Sequence, residues 1–381
     1  MQKTLLIILI LLFTNIVYLF PEDANAIPYF SRKYNTPCTM CHVRYPSLNT
    51  TGMTFKQNGY KLKGEEGEHV WQDKFFPLSG TASFIYKSVD KKGTGWKEAD
   101  GTQALFLLKN MEFFSAGTLA PQISYYISLG TEGKAPITPG IAFVLFNDLI
   151  PESLINLKAG KFYNEFFYLS DKRRLTFEPY LSPVTLTQYG VEINGETHPQ
   201  GIRYAAGAVN DEMTPDNQDN SDVDVSNNIR GYYASFTYSI AGQTIGLRGY
   251  TTKAGKDSAA EKDHTQLDAN LNINISPVFF TIAFYNQSDK YDPDPDIDDG
   301  HIDQDNLLSE LIIKAGSKLI FDIRFEQQDI ENIRERDNKY VYNIGYFISP
   351  NIGLISEYVK QEGAESKKDE NRLELGIQMA F

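Results

Sequence analysis

From about residue 75 onward the chain falls into short runs in which apolar and polar side chains alternate one by one. Leu267, Ala269, Leu271, Ile273 and Ile275 are interleaved with Asp268, Asn270, Asn272 and Asn274. Phe321, Ile323 and Phe325 alternate with Asp322, Arg324 and Glu326, and Tyr232, Ala234, Phe236, Tyr238 and Ile240 with Tyr233, Ser235, Thr237 and Ser239. Successive side chains of a strand point to opposite faces, so a period of two predicts β-strands whose faces meet different surroundings. A soluble sandwich has the same period, and the connections separate the two folds. Short ones, Ser276-Pro277, Gly316-Ser317-Lys318 and Ser349-Pro350-Asn351, alternate with long ones, Tyr163 to Val184, Asn210 to Asn228 and Ser288 to Asn306. Outer-membrane barrels have this asymmetry, with tight periplasmic turns and extended external loops. The runs number about sixteen, an even count that leaves both barrel ends on the periplasmic side, and strands of roughly ten residues suit a tilted membrane crossing. The expectation is an all-β chain whose residues 75–381 form an outer-membrane antiparallel β-barrel of about 16 strands. Such a lumen is wide enough for an aqueous channel unless something fills it. The last run, Leu373 to Phe381, ends on an aromatic residue in the way that barrels recognised for outer-membrane insertion do.

The other end of the chain reads differently. Met1-Gln2-Lys3, an apolar stretch from Leu5 to Phe20 and Ala24-Asn25-Ala26 together have the form of a secretory signal peptide, residues 1–26, with the mature protein beginning near Ile27. An uncleaved anchor is the alternative, but a spanning helix needs about twenty apolar residues and Thr14 and Asn15 interrupt this one. The mean hydropathy of −0.35 is what alternating strands give. Aromatic residues make up 13% of the chain, with 24 Phe and 23 Tyr, a composition that suits interfacial girdles. The net charge of −13 argues against a nucleic-acid partner and favours cations at the surface.

Between leader and barrel lie the chain's only two cysteines, Cys38 and Cys41, followed at once by His42. This is the CxxCH spacing of c-type haem attachment: two thiols three positions apart reach both vinyl groups of one haem c, and the adjacent histidine reaches its iron. A redox disulfide or half of a zinc site are the alternatives, but neither a βαβ context nor two further Cys or His ligands at matching spacing accompany the motif. Residues 27–74 are thus expected to form a small monohaem segment. His69 and Met53 are the candidates for a second axial ligand, His69 slightly preferred; Met40 lies between the cysteines, and a five-coordinate iron remains open. Since the segment enters the barrel from the periplasmic side, it is expected to plug the lumen.

The run Pro28-Tyr29-Phe30-Ser31-Arg32, the motif Cys38 to His42, then Pro46-Ser47-Leu48-Asn49, Gly52, Phe55-Lys56 and Gly59-Tyr60 resemble the fused monohaem cytochrome-porins of the bacterial outer membrane, known best from iron-oxidising bacteria. The likeness is specific over about 45 residues and architectural over the rest. It implies one haem c held by Cys38 and Cys41 with His42 as proximal ligand, a barrel of about sixteen strands, oxidation of extracellular Fe(II), and a periplasmic c-type cytochrome or similar carrier as electron acceptor. Relatives of this type serve other donors and acceptors too, so the architecture is better supported than iron as substrate, and the direction of flow stays open.

Two loops carry further candidates. The third long loop contains Lys172, Arg173 and Arg174 at the position that folds inward in many porins; a basic constriction there would attract anions, a haem propionate among them, although a solvated external loop reads equally well. The sixth contains Asp292, Asp294, Asp296, Asp298 and Asp299, with Asp303 and Asp305 beyond, which would gather cations either at a site or by their field alone. No nucleophile-base-acid set or phosphate loop is present. The functional expectations are an electron conduit, a solute-diffusing porin with a haem-bearing plug, or a sleeve around a larger multihaem partner.

Overall fold

The computed structural model describes residues 28–62, 69–92, 101–133, 135–164, 169–170, 174–182, 187–197, 201–210, 229–254, 262–291, 301–331, 335–363 and 369–381. Residues 1–26, Lys172, Arg173, Asp292, Asp294, Asp296, Asp298 and Asp299 lie outside them. The N-terminal segment contains helix α1 (Tyr29–Tyr34), a 3-10 turn (Cys38–Met40), strands β1 (His42–Arg44) and β2 (Ser47–Leu48), and helix α2 (Thr50–Gln57). The barrel follows as β3 (Ser79–Lys92), β4 (Gly101–Ala120), β5 (Ile123–Glu132), β6 (Thr138–Ile150), β7 (Ile155–Tyr163), β8 (Thr187–Glu196), β9 (Ile202–Asn210) and β10 (Ile229–Ile240). It continues as β11 (Gln243–Ala254), β12 (Lys262–Ile275), β13 (Val278–Tyr291), β14 (His301–Ala315), β15 (Leu319–Ile330), β16 (Glu335–Ser349), β17 (Ile352–Glu362) and β18 (Asp369–Ala380). These sixteen strands pair in chain order, all antiparallel, and β18 closes on β3 with Leu375 opposite Tyr86 and Ala380 opposite Thr81.

The barrel is inside out relative to a soluble sandwich. On β12 Leu267 is 63% exposed and Asp268 1%; on β15 Ile323 is 45% exposed and Arg324 1%. Apolar side chains face outward and polar ones face the lumen, which is the arrangement of a strand that crosses lipid. Lumenal charges are taken out of bulk water and therefore need opposite partners. They have them in Arg248 with Asp268 at 2.5 Å, Arg203 with Glu196 at 2.8 Å, Arg324 with Glu326 at 2.9 Å and Lys109 with Glu374 at 3.0 Å. No described helix is long and apolar enough to cross a membrane.

The first strand begins at Ser79, a few residues after the expected start at residue 75. The expected loop from Ser288 to Asn306 is also shorter. The ladder between β13 and β14 continues through Ser288 opposite Asp303 to Lys290 opposite His301. Asp303 and Asp305 are therefore strand residues, because main-chain pairing extends past the point where the apolar pattern fades.

The shortest connections, the two-residue turns 121–122, 241–242, 276–277 and 350–351, lie at the end where β3 starts and β18 finishes. The N-terminal segment sits in the lumen at this same end. Tyr29 N donates to Ser79 Oγ (2.9 Å), Arg32 Nη2 to the Leu78 carbonyl (3.2 Å) and Lys61 Nζ to the Pro121 carbonyl (3.3 Å). Gln57 Nε2 donates to the Gly195 carbonyl (2.8 Å), and Lys61 Nζ pairs with Asp148 Oδ2 at 3.1 Å. Phe55 and Tyr60 join an apolar cluster with Phe143, Leu145, Phe162, Val209, Tyr233 and Tyr250 of the inner wall, so the segment is packed in place as well as tethered.

The described residues between β7 and β8, above all 174–182, reach across the lumen. The Phe177 and Glu178 amides donate to Glu357 of β17 (2.8 and 2.7 Å), and the Leu181 amide donates to Glu326 (2.5 Å). Arg324 of β15 donates in return to Thr176 Oγ1 (2.6 Å) and the Glu178 carbonyl (2.8 Å). The ring of Phe177 lies where Gly376 of β18 leaves room; a Cβ there would be 2.7 Å from it. Among the two readings of this third loop, the described residues follow the inward one.

Candidate functional site

A cleft with about 1600 Å³ of atom-free space, its mouth included, lies inside the lumen between the N-terminal segment, the inner wall and the crossing loop. Cys38, Cys41 and His42 all line it. Facing them are Phe114, Tyr126, Ile141, Phe143, Phe162 and Tyr163 of the wall, Ser170 of the crossing loop, and Pro350, Asn351 and Ala380 from the neighbouring arc of the barrel mouth. Phe30, Leu48, Phe55, Tyr60 and Leu62 of the segment complete an apolar lining. Rings pack face to face from segment to wall: Phe30 on Tyr60 at 5.7 Å, Tyr60 on Tyr126 at 5.7 Å, and Tyr126 on Phe143 at 5.8 Å.

Local sequence fixes the cysteine loop. Pro37 leads into the 3-10 turn, which is closed by Cys41 N donating to the Cys38 carbonyl at 3.2 Å. Asn49 then does two things. Its Oδ1 caps α2 by accepting from Gly52 N (3.0 Å), and its Nδ2 donates to the Met40 carbonyl (3.0 Å). Such a cap contributes about 1 kcal/mol and here also ties helix to loop. Gly52 is required by close approach, since a Cβ would lie 2.1 Å from the Cys41 carbonyl oxygen. The backbone carbonyl of Pro46 lies 3.3 Å from His42 Nδ1 and can only accept, so this contact assigns the proton to Nδ1 and makes Nε2 the nitrogen able to ligate.

Both cysteines are thiols and form no disulfide. Burial, with a smaller contribution from neighbouring Cys38, pushes the Cys41 thiol above its ordinary pKa. No three His, Cys, Asp or Glu side chains among the described residues converge to hold an ion. The donor set and the apolar cleft do fit a haem c: two thiols, one oriented imidazole and flat aromatic walls.

The two candidates for a second axial ligand lie elsewhere. His69 bridges to Thr118 on the barrel wall, with Nδ1 2.6 Å from the Leu119 carbonyl and its ring stacked on Trp71 at 4.9 Å. Met53 is buried on α2 and lines a smaller, adjoining pocket with Leu145, Glu192 and Tyr204, which shares Lys56, Phe143, Lys158 and Tyr163 with the cleft. Neither reaches the cleft that holds His42, whereas Met40 lines it. Arg174 lies on the crossing loop and donates to the Phe177 carbonyl at 3.5 Å, a loop-shaping contact.

Sequence reasoning did not single out Arg44, Lys158, Tyr126 or Glu357. Lys158 lines the cleft, is paired with Glu192, and lies 4.8 Å from the centre of the Phe162 ring. These residues occupy ordinary phases of their strands, and no local signal distinguishes a lumenal side chain that meets the segment from one that meets water.

The fold places the chain in the class of outer-membrane porin-type barrels. The anion-selective porin of Comamonas acidovorans superposes with a TM-score of 0.63 at 11% identity, covering 80% of this chain and 98% of the porin. The outer membrane channel DcaP of Acinetobacter baumannii gives 0.61 at 13% identity (80% and 96%), and OprB of Pseudomonas putida 0.58 at 9% identity (80% and 94%). Identities this low establish a shared fold alone. No protein-family model and no curated protein sequence matches the chain.

Proposed function

We propose that this chain is an electron-transfer protein of the bacterial outer membrane, in which a single haem c held within the barrel links extracellular ferrous iron to a periplasmic c-type cytochrome. The observation that carries this reading is that Cys38, Cys41 and His42 line one apolar cleft inside the lumen. Cys38 and Cys41 would hold the haem by thioethers and His42 by Nε2, and the bound group would supply one-electron exchange. The chain's own residues do the rest. The Pro46 carbonyl fixes the His42 tautomer, Asn49 and Gly52 set the loop against α2, and Phe143, Phe162 and Tyr126 exclude water from the cleft wall.

The short-turn end, taken as periplasmic by analogy with other outer-membrane barrels, carries the N-terminal segment, so a periplasmic carrier has access to that end. Iron as donor rests on the resemblance around the CxxCH motif and on the acidic balance of the chain. The decisive experiment mixes purified, oxidised, haem-loaded protein with ferrous iron in a stopped-flow spectrometer. Rapid appearance of reduced haem bands is expected; a haem reduced by dithionite but not by iron would remove iron as the donor.

The porin-type fold favours one rival, a solute-diffusing pore in which the segment is a structural plug. Planar-bilayer conductance separates them. The electron-transfer reading expects little conductance, because the segment and the crossing loop both occupy the lumen, and a large steady conductance would favour the rival.

A further inference from the structure

Arg44 is a buried cation, 6% exposed, and its Nε has no hydrogen-bond acceptor. Among the described residues no carboxylate pairs with it, and its guanidinium lies 5.1 Å from the centre of the Phe347 ring. Facing it electrostatically is Lys314 of β14, whose ammonium is 5.8 Å from the Phe279 ring and likewise has no carboxylate partner among the described residues. The buried arginines described above, Arg203, Arg248 and Arg324, each lie against a carboxylate, although Arg324 Nε and Glu326 Oε1 also lack a hydrogen bond; among the described residues Arg44 stands apart in having no anion beside it. An uncompensated buried charge costs several kcal/mol. Arg44 is two residues from His42, and, although it does not itself line the cleft, the ring it packs on belongs to the hairpin whose Pro350 and Asn351 do.

We infer that Arg44, assisted by Lys314, is the seat of an anionic carboxylate, supplied by a propionate of the haem bound at Cys38 and Cys41. The inference rests on the haem reading above and deepens it. An arginine fork matches a carboxylate in geometry and supplies the charge-assisted hydrogen bonds that Nε lacks. Arg44 in this role is a positioning residue: it orients the group and sets its electrostatic surroundings, with no part in covalent attachment.

The test uses the full-length haem-loaded protein in detergent, with Arg44→Gln and Arg44→Lys variants. Haem staining on denaturing gels first reports covalent attachment. Given equal loading, Arg44→Gln is expected to lower the midpoint potential, because loss of a nearby cation favours the oxidised haem, and to make that potential fall with rising pH through the weakly acidic range as the unpaired propionate titrates. Arg44→Lys restores most of both properties. An unchanged potential and pH profile in a fully loaded Arg44→Gln protein overturns the inference while leaving the haem reading intact. Absence of covalent haem from the wild-type protein overturns both. A wild-type potential that responds to added phosphate at constant ionic strength, and no longer does so in Arg44→Gln, assigns the site to a free anion and overturns the propionate assignment.

Discussion

Gly52 sets how closely α2 approaches the cysteine loop. An alanine there would bring its Cβ to 2.1 Å from the Cys41 carbonyl oxygen and 2.9 Å from Leu48 Cδ2, and backbone on that side cannot rotate away. Overpacking of this kind costs about 1–3 kcal/mol. Gly52→Ala is expected to reduce the fraction of chains carrying covalent haem, measured by haem staining, while the heat-modified gel mobility of the barrel stays as in the wild type. Arg324 is the counterpart in the barrel. It is 1% exposed, pairs with Glu326, donates to Thr176 and to the Glu178 and Pro179 carbonyls, and lies 4.8 Å from the Tyr180 ring centre. Arg324→Met leaves Glu326 buried without its cation, which costs about 3–5 kcal/mol. A clear fall in the thermal unfolding midpoint is expected, and an unchanged midpoint would show that the lumen there is effectively solvated.

At the level of elements, the crossing loop depends on a few lumenal anchors. Glu357 accepts from the Phe177 and Glu178 amides and from Asn343 Nδ2 (2.9 Å). Glu357→Leu removes these acceptors, so the loop should loosen and single-channel conductance should rise. Glu178 adds a pH dependence. Burial opposes its ionisation, but Lys339 at 3.0 Å and Arg372 at 2.7 Å outweigh it and hold the carboxyl below its ordinary value. A carboxylate with a depressed folded-state pKa contributes stability that is present above its unfolded pKa and lost as pH falls through the folded one. The loop should therefore stay anchored at neutral and mildly acid pH and loosen only below the ordinary carboxylate range. Conductance recorded from pH 7 down to pH 3 checks this, and Lys339→Met should move the transition to higher pH.

At the scale of the whole molecule, the N-terminal segment fills the short-turn end of the lumen and the crossing loop spans it further in. Removing residues 28–62 is expected to raise conductance several-fold over the intact chain; equal conductance would mean that the crossing loop alone closes the pore. How much of this was legible in the sequence follows from the range of each interaction. Strand alternation is written in neighbouring residues, so the inside-out barrel, its sixteen strands and the side carrying the short turns were readable from Leu267 against Asp268 and its equivalents. Cys38, Cys41 and His42 were readable as a set for the same reason, since their spacing is contained in five consecutive residues, and they line one cleft. His69 and Met53 were chosen by residue type, and the fold places one on the barrel wall and the other in a pocket adjoining the cleft. Ser288 to Tyr291 read as loop because they are polar, yet their amides and carbonyls continue the ladder regardless of side chain. The destination of the crossing loop, the seat of the segment and the isolation of Arg44 were decided by tertiary structure alone. They depend on contacts such as Arg324 with Thr176, 148 residues apart in sequence. A lumenal charge facing water and one facing a plug occupy the same phase of a strand, and only the closed barrel determines which of the two a residue meets.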